Sequence, residues 1–122
     1  MPKKTQLKSD DVAALVAEIL DDMKATDIVS IDVRHLTSIT DVMIVASGRS
    51  DRHLRAIADA VVERCKSAGV PSLGVEGIGS SEWVLIDLAD VIVHVMLPKT
   101  RDFYEIEKLW AISSPVEVAE SP

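Results

Sequence analysis

At 122 residues, 48% of them apolar and only 3% aromatic, the chain is long enough for one domain whose core must be aliphatic and needs no staple. Its net charge of -7 and pI of about 4.8 disfavour broad binding to phosphate backbones and suit a basic protein partner. The single cysteine, Cys65, excludes an intramolecular disulfide, and with no export leader or apolar run of about 20 residues in view the expectation is a cytoplasmic protein without a membrane span.

Residues 1–8 read as a flexible polar lead-in. Ser9 is the expected N-cap of a first helix, with Asp10 and Asp11 where the helix dipole favours acids. Val12, Leu15, Val16, Ile19, Leu20 and Met23 follow at helical spacing. Residues 27–33 are rich in β-branched side chains and read as a strand. The run 42–46 is continuously apolar, as in a strand covered on both faces. Ser47, Gly48, Arg49 and Ser50 form a turn. Ser50 caps a second helix with the apolar stripe Leu54, Ile57, Ala58, Val61, Val62 and Cys65, which Gly69 and Pro71 terminate. Residues 72–76 are a short strand candidate, and 83–88 and 91–97 pair as a hairpin across Ala89 and Asp90. Lys99 or Thr100 opens a last short helix carrying Phe103, Ile106, Leu109 and Trp110. From 111 onward Ser and Pro mark a disordered tail. The expected fold is α/β, one domain over 9–110, with a mixed sheet of about five strands and helices packed on it.

Few residues offer catalytic chemistry. His35, His53 and His94 lack metal-ligand spacing, and there is no Cys-x-x-Cys, so no metal or cofactor is expected. Gly74, Gly77 and Gly79 are not set between a strand and a helix and read as a mobile loop. The turn at Ser47–Ser50 does lie where a strand hands over to a helix, a place where backbone N–H groups hold anions, and Arg49, Arg52 and Arg55 are near. A nucleotidyltransferase would also need two carboxylates two residues apart on a following strand. Only Glu76 stands in 72–76, and Glu82 and Asp87 point to opposite faces. A structural turn is therefore preferred, and a nucleotide-binding enzyme is the alternative. Cys65, in an apolar stripe, reads as core. His94 is either a satisfied structural histidine or part of a binding face. Asp32 and Asp41 flank a Ser/Thr-rich loop and are expected to hydrogen-bond within it.

The informative stretch is 76–107. It holds seven acids against Lys99 and Arg101, hence -5 of the total charge, and with Trp110 it contains every aromatic residue of the chain. Rings ringed by charge resemble an interaction hot spot. Trp83, Tyr104 and Trp110 are expected at an exposed interface and Phe103 in the core.

The same stretch resembles the bacterial ribosomal silencing factors, also called the Iojap family. The matching segments are Ser38-Ile39-Thr40-Asp41, Ser50-Asp51-Arg52-His53 and Gly74-Val75-Glu76-Gly77. The strongest are the run from Trp83 through Asp87, Asp90 and His94 to Met96, and the run from Arg101 through Tyr104 to Trp110. One departure is Ala89, where the family usually has glycine, which puts the type of the hairpin turn in question. The resemblance implies a nucleotidyltransferase-like fold without enzymatic activity. It also implies binding to large-subunit ribosomal protein uL14, steric obstruction of subunit joining that represses translation under nutrient limitation, and a homodimer when free. Carried over residue by residue, it places Trp83, Asp87, Asp90, His94, Met96, Leu97, Arg101 and Tyr104 on the partner-binding surface. Trp83, Met96, Leu97 and Tyr104 would supply apolar anchorage, Asp87 and Asp90 would meet basic side chains, and His94 and Arg101 would add polar contacts.

Overall fold

The computed structural model describes residues 7–77, 82–106 and 108. The expected tail at 111–122 and the placement of Trp110 lie outside the described residues. In chain order the elements are α1 (Ser9–Asp22), β1 (Thr26–Asp32), β2 (Val42–Ser47), α2 (Asp51–Ser67), β3 (Gly74–Glu76), β4 (Trp83–Asp87), β5 (Val91–Met96) and α3 (Pro98–Tyr104). The strands form one five-stranded sheet in the order β1-β2-β5-β4-β3. The central pair β2/β5 is parallel, and the flanking pairs are antiparallel. The expected α/β architecture with a mixed five-stranded sheet is the one observed. Among the described residues no helix is long and apolar enough to cross a membrane.

The two long helices lie together on one face of the sheet. The buried stripe of α1 is Val12, Val16, Ile19 and Leu20, and that of α2 is Leu54, Ile57, Ala58, Val61 and Cys65. Both press onto Val42, Ile44, Ala46, Val84, Ile86, Val91, Val93 and Val95 to make the main core. Cys65 is fully buried there, and burial pushes its thiol pKa up, away from the reactive thiolate. Ser50 caps α2 as expected, its hydroxyl accepting from the His53 N–H at 3.1 Å.

Ser9 departs from expectation. It is the first residue of α1 rather than its cap, and Lys8 takes the N-cap position. Its hydroxyl reaches across 32 residues to donate to the Asp41 carboxylate. That long-range partner outcompetes the local capping bond, and the Lys8 N–H is satisfied instead by Asp11. The loop between β1 and β2 is held as anticipated: the Asp32 carboxylate accepts the backbone N–H of Arg34, which holds it below the usual carboxylate range.

The opposite face of the sheet is only partly covered. Here the alternation of strand side chains presents Ile31, Met43, Val45, Trp83, Leu85, Asp87, Ile92, His94 and Met96. A smaller buried cluster of Val33, Met43, Val45 and Met96 sits under Ile31, Trp83 and Ile106. Leu85 and Ile92 are only partly buried beside it.

Candidate functional site

Three elements build the exposed end of this second face. β4 begins at Trp83, β5 ends at Met96, and Pro98 at the first turn of α3 redirects the chain across the end of the sheet. Proline suits that position because its missing N–H is unneeded there. The helix is fastened by Thr100, whose hydroxyl donates to Glu82 Oε1 at 3.1 Å, and by Arg101, whose Nη1 donates to Ser47 Oγ at 2.9 Å. With Thr100 and Arg101 turned inward, Phe103 and Tyr104 are turned out.

The rings form a continuous series. Trp83 stacks tilted against Tyr104 with centroids 4.9 Å apart, and Tyr104 meets Phe103 edge-on at 4.9 Å. On its inner side Trp83 lies 5.8 Å from the His94 ring, and its indole Nε1–H donates to His94 Nδ1 at 3.0 Å. Exposure climbs along the series, from 7% at His94 to 53% at Tyr104 and 78% at Phe103.

The structure divides the eight residues expected on the partner-binding surface. Tyr104 and Asp90 are exposed, and Trp83, Asp87 and Leu97 are half-buried. Met96 is fully buried: its strand position faces the covered part of the second face, so its side chain does not reach the surface. Arg101 is buried with a Ser47 partner and serves as a strut for α3. His94 is buried as the acceptor for Trp83, so its ring is satisfied within the fold. Trp83 and Asp87 share one face of β4, four residues apart, hence separated by about 13 Å along the strand. The surface therefore has an aromatic end and an acidic end.

Phe103 corrects the sequence reading, which placed it in the core. Its spacing to Ile106 suggested one helical face, but α3 ends at Tyr104 and Glu105 adopts the left-handed conformation (φ 50°), so the periodicity breaks between them. Sequence reasoning missed the exposed Phe103 and the partly buried Leu85 and Ile92 beside the rings. The hairpin turn is also clarified. Ala89 does adopt positive φ (72°); the Asp87 carboxylate accepts its N–H at 2.8 Å, and the Asp90 N–H reaches back to the Leu88 carbonyl at 2.9 Å. A γ-turn of this kind is strained for alanine, and the side-chain bond from Asp87 offsets part of that cost.

Two backbone donors of the turn at Ser47–Ser50 are taken up within the fold. The Gly48 N–H goes to the Met96 carbonyl at 3.0 Å and the Arg49 N–H to His53 Nδ1 at 2.9 Å. The Ser47 hydroxyl is occupied by Arg101. His53 closes the arrangement by bonding the Met23 carbonyl through Nε2 at 2.8 Å, which ties the start of α2 to the end of α1. These groups serve the fold, and the phosphate-binding alternative gains nothing from them.

Burial pulls the His94 imidazole down to about 4 from its ordinary 6.5, so the folded protein holds it neutral while the unfolded chain protonates it below 6.5. Its contribution to stability is complete above pH 6.5 and is lost as pH falls from there through 4. A displacement of this size corresponds to roughly 3 kcal/mol at most. Urea unfolding at pH 7 and pH 4.5 is expected to show a smaller loss of stability on acidification for His94→Asn than for the unaltered protein. Equal losses would show that another group governs the acid response.

Comparison with known proteins bears on the family and the fold. Residues 6–122 match the family model described as "Ribosomal silencing factor during starvation". The chain is 48% identical over 105 residues to the ribosomal silencing factor RsfS of Chromobacterium violaceum, covering 86% of each chain. It is 47% identical over 94 residues to that of Haemophilus influenzae, covering 77% of this chain and 92% of the relative. A crystal structure of a protein from Chromobacterium violaceum superposes with a TM-score of 0.84 at 46% identity, covering 89% of this chain and 91% of that one.

Proposed function

Because the chain belongs to the ribosomal silencing factor family, we propose that it binds the large ribosomal subunit through ribosomal protein uL14 and blocks association with the small subunit by occupying space, repressing translation when nutrients are limiting. The observation that carries this reading is the exposed aromatic series on an otherwise acidic protein. Tyr104 and Phe103 stand 53% and 78% exposed, continuous with Trp83 and the partly buried Leu85 and Ile92; Glu82 stands beside the rings, Glu76 pairs with Leu85 and Asp87 with Ile92, and Asp90 lies in the adjoining turn. Apolar rings bounded by carboxylates suit a basic protein, with the rings supplying affinity and the acids supplying orientation and speed of encounter. A standard interface buries about 800 Å² per partner, within the reach of one sheet face and a short helix. Steric exclusion needs no catalysis, so the protein acts as a cytoplasmic, non-enzymatic regulator. The exposed rings also offer the free protein a surface for self-association, and a homodimer in the absence of ribosomes belongs to the same reading.

The direct test is sedimentation with separated ribosomal subunits. The protein is expected to comigrate with the large subunit and to inhibit its joining to the small one; comigration with neither rejects the proposal. A narrower test concerns the acidic end. Asp87→Asn with Asp90→Asn preserves the turn acceptor at position 87 while removing two charges. Affinity is expected to fall by about tenfold and to lose part of its salt dependence. An unchanged salt dependence would take these two carboxylates out of the contact.

A further inference from the structure

Resting on that docking reading, we propose that His94 is a positioning residue for the interface: its imidazole never meets the partner but fixes the Trp83 indole, and through it the outer rings, in the orientation that docks. Three observations support this assignment. First, His94 sits on β5, the central strand, opposite Val45 of β2 on one side and Leu85 of β4 on the other. It is 7% exposed and so has little freedom and no open surface. Second, the only polar atom of the Trp83 side chain is committed to it, through the 3.0 Å bond from Nε1 to Nδ1. An indole nitrogen can only donate, so the bond requires an unprotonated Nδ1, with the ring proton on Nε2. Burial keeps the imidazole in that neutral form. Third, Trp83 in turn carries Tyr104, and Tyr104 carries Phe103, by ring contacts of 4.9 Å each.

The consequence is preorganisation. Trp83 begins its strand and could rotate about two side-chain bonds, and the hydrogen bond selects one orientation before the partner arrives. Side chains ordered in advance are not ordered at the expense of binding. Without the acceptor the ring would keep its apolar area but lose its fixed plane, and the stack beyond it would loosen.

The test uses the full chain and two readouts. Exchange of the Trp83 indole proton is followed by NMR, the signal being identified by its loss in Trp83→Phe, and affinity for isolated large subunits is measured by sedimentation. His94→Leu removes the acceptor, whereas His94→Asn places Oδ1 near the position of Nδ1. For His94→Leu, indole exchange is expected to speed up and affinity to fall, each by about tenfold, as for one lost hydrogen bond. His94→Asn is expected to recover most of both. In a Trp83→Phe background the change at 94 should no longer alter affinity. Wild-type affinity in His94→Leu with a loosened indole overturns the positioning role and leaves the docking reading standing. Unchanged indole exchange overturns the bond itself as the restraint. If His94→Leu does not fold, Trp83→Phe alone decides: it keeps a ring and removes the donor, and undiminished affinity overturns the proposal. Failure of the unaltered protein to bind large subunits removes the docking reading and this inference together.

Discussion

Replacing Phe103 and Tyr104 together by alanine is expected to weaken binding to large ribosomal subunits by about a hundredfold, near 3 kcal/mol, while leaving the fold intact. The size of the effect follows from where the rings are. Phe103 is 78% exposed and Tyr104 53%, so each has most of its area still to bury against a partner, and aromatic anchors dominate interface energetics. The modest effect on stability follows from the same numbers, because Phe103 is largely free of the fold and Tyr104 gives up mainly its contact with Trp83. The variant should therefore unfold within a few degrees of the parent while sedimenting away from the large subunit. A folded double variant with undiminished affinity would show that the partner contacts another surface.

Gly77→Ala is expected to be the most damaging single methyl group in the described part of the chain. Gly77 adopts φ +94°, a region alanine rarely enters, and a Cβ there would lie 2.1 Å from the carbonyl oxygen of Trp83. That neighbour is backbone, so relief requires the start of β4 to move away from the end of β3. A strained φ and a steric overlap of this kind together cost about 3 kcal/mol or more. The displacement falls on the residue that starts the aromatic series, so affinity for the large subunit should drop along with the melting temperature. Denaturation and binding measured on the same preparation check this. A Gly77→Ala protein as stable as the parent would show that the loop relaxes without disturbing β4.

The order of elements was readable because their signals are local. The α2 stripe from Leu54 to Cys65, its Ser50 cap and the β-branched runs at β2 and β5 each follow from neighbouring residues alone. Ser9 escaped because its partner, Asp41, is 32 residues away. Phe103 escaped because helical spacing to Ile106 continued on paper after the helix had ended at Tyr104. The site itself was harder. In β4 the sequence Trp83-Val84-Leu85-Ile86-Asp87 is apolar on both faces until its last residue, so alternation could not say that Val84 and Ile86 meet the helices while Trp83 and Leu85 face outward. The same ambiguity on β5 hid which of Ile92, His94 and Met96 could be reached. Burial on the second face depends on the path of the chain through α3 and Ile106, which is a tertiary fact. Resemblance pointed to a stretch, but only the packing separated its exposed residues from the buried struts.

The parallel pairing of β2 with β5 has a consequence for how this molecule comes into being. Val42 pairs with Val91 and Ser47 with Met96, partners 49 positions apart in the chain, and these two strands lie at the centre of the sheet. The β1/β2 and β4/β5 hairpins meet only through that pair, so no N-terminal fragment ending before β5 contains a closed core. A growing polypeptide must hold α1, β1, β2 and α2 without their central support until residue 96 has been made. Loop closure of that span must precede most of the reward. Folding is thus expected to be late and abrupt, with Val42–Ser47, an exposed apolar strand until then, as the segment most in need of protection during synthesis.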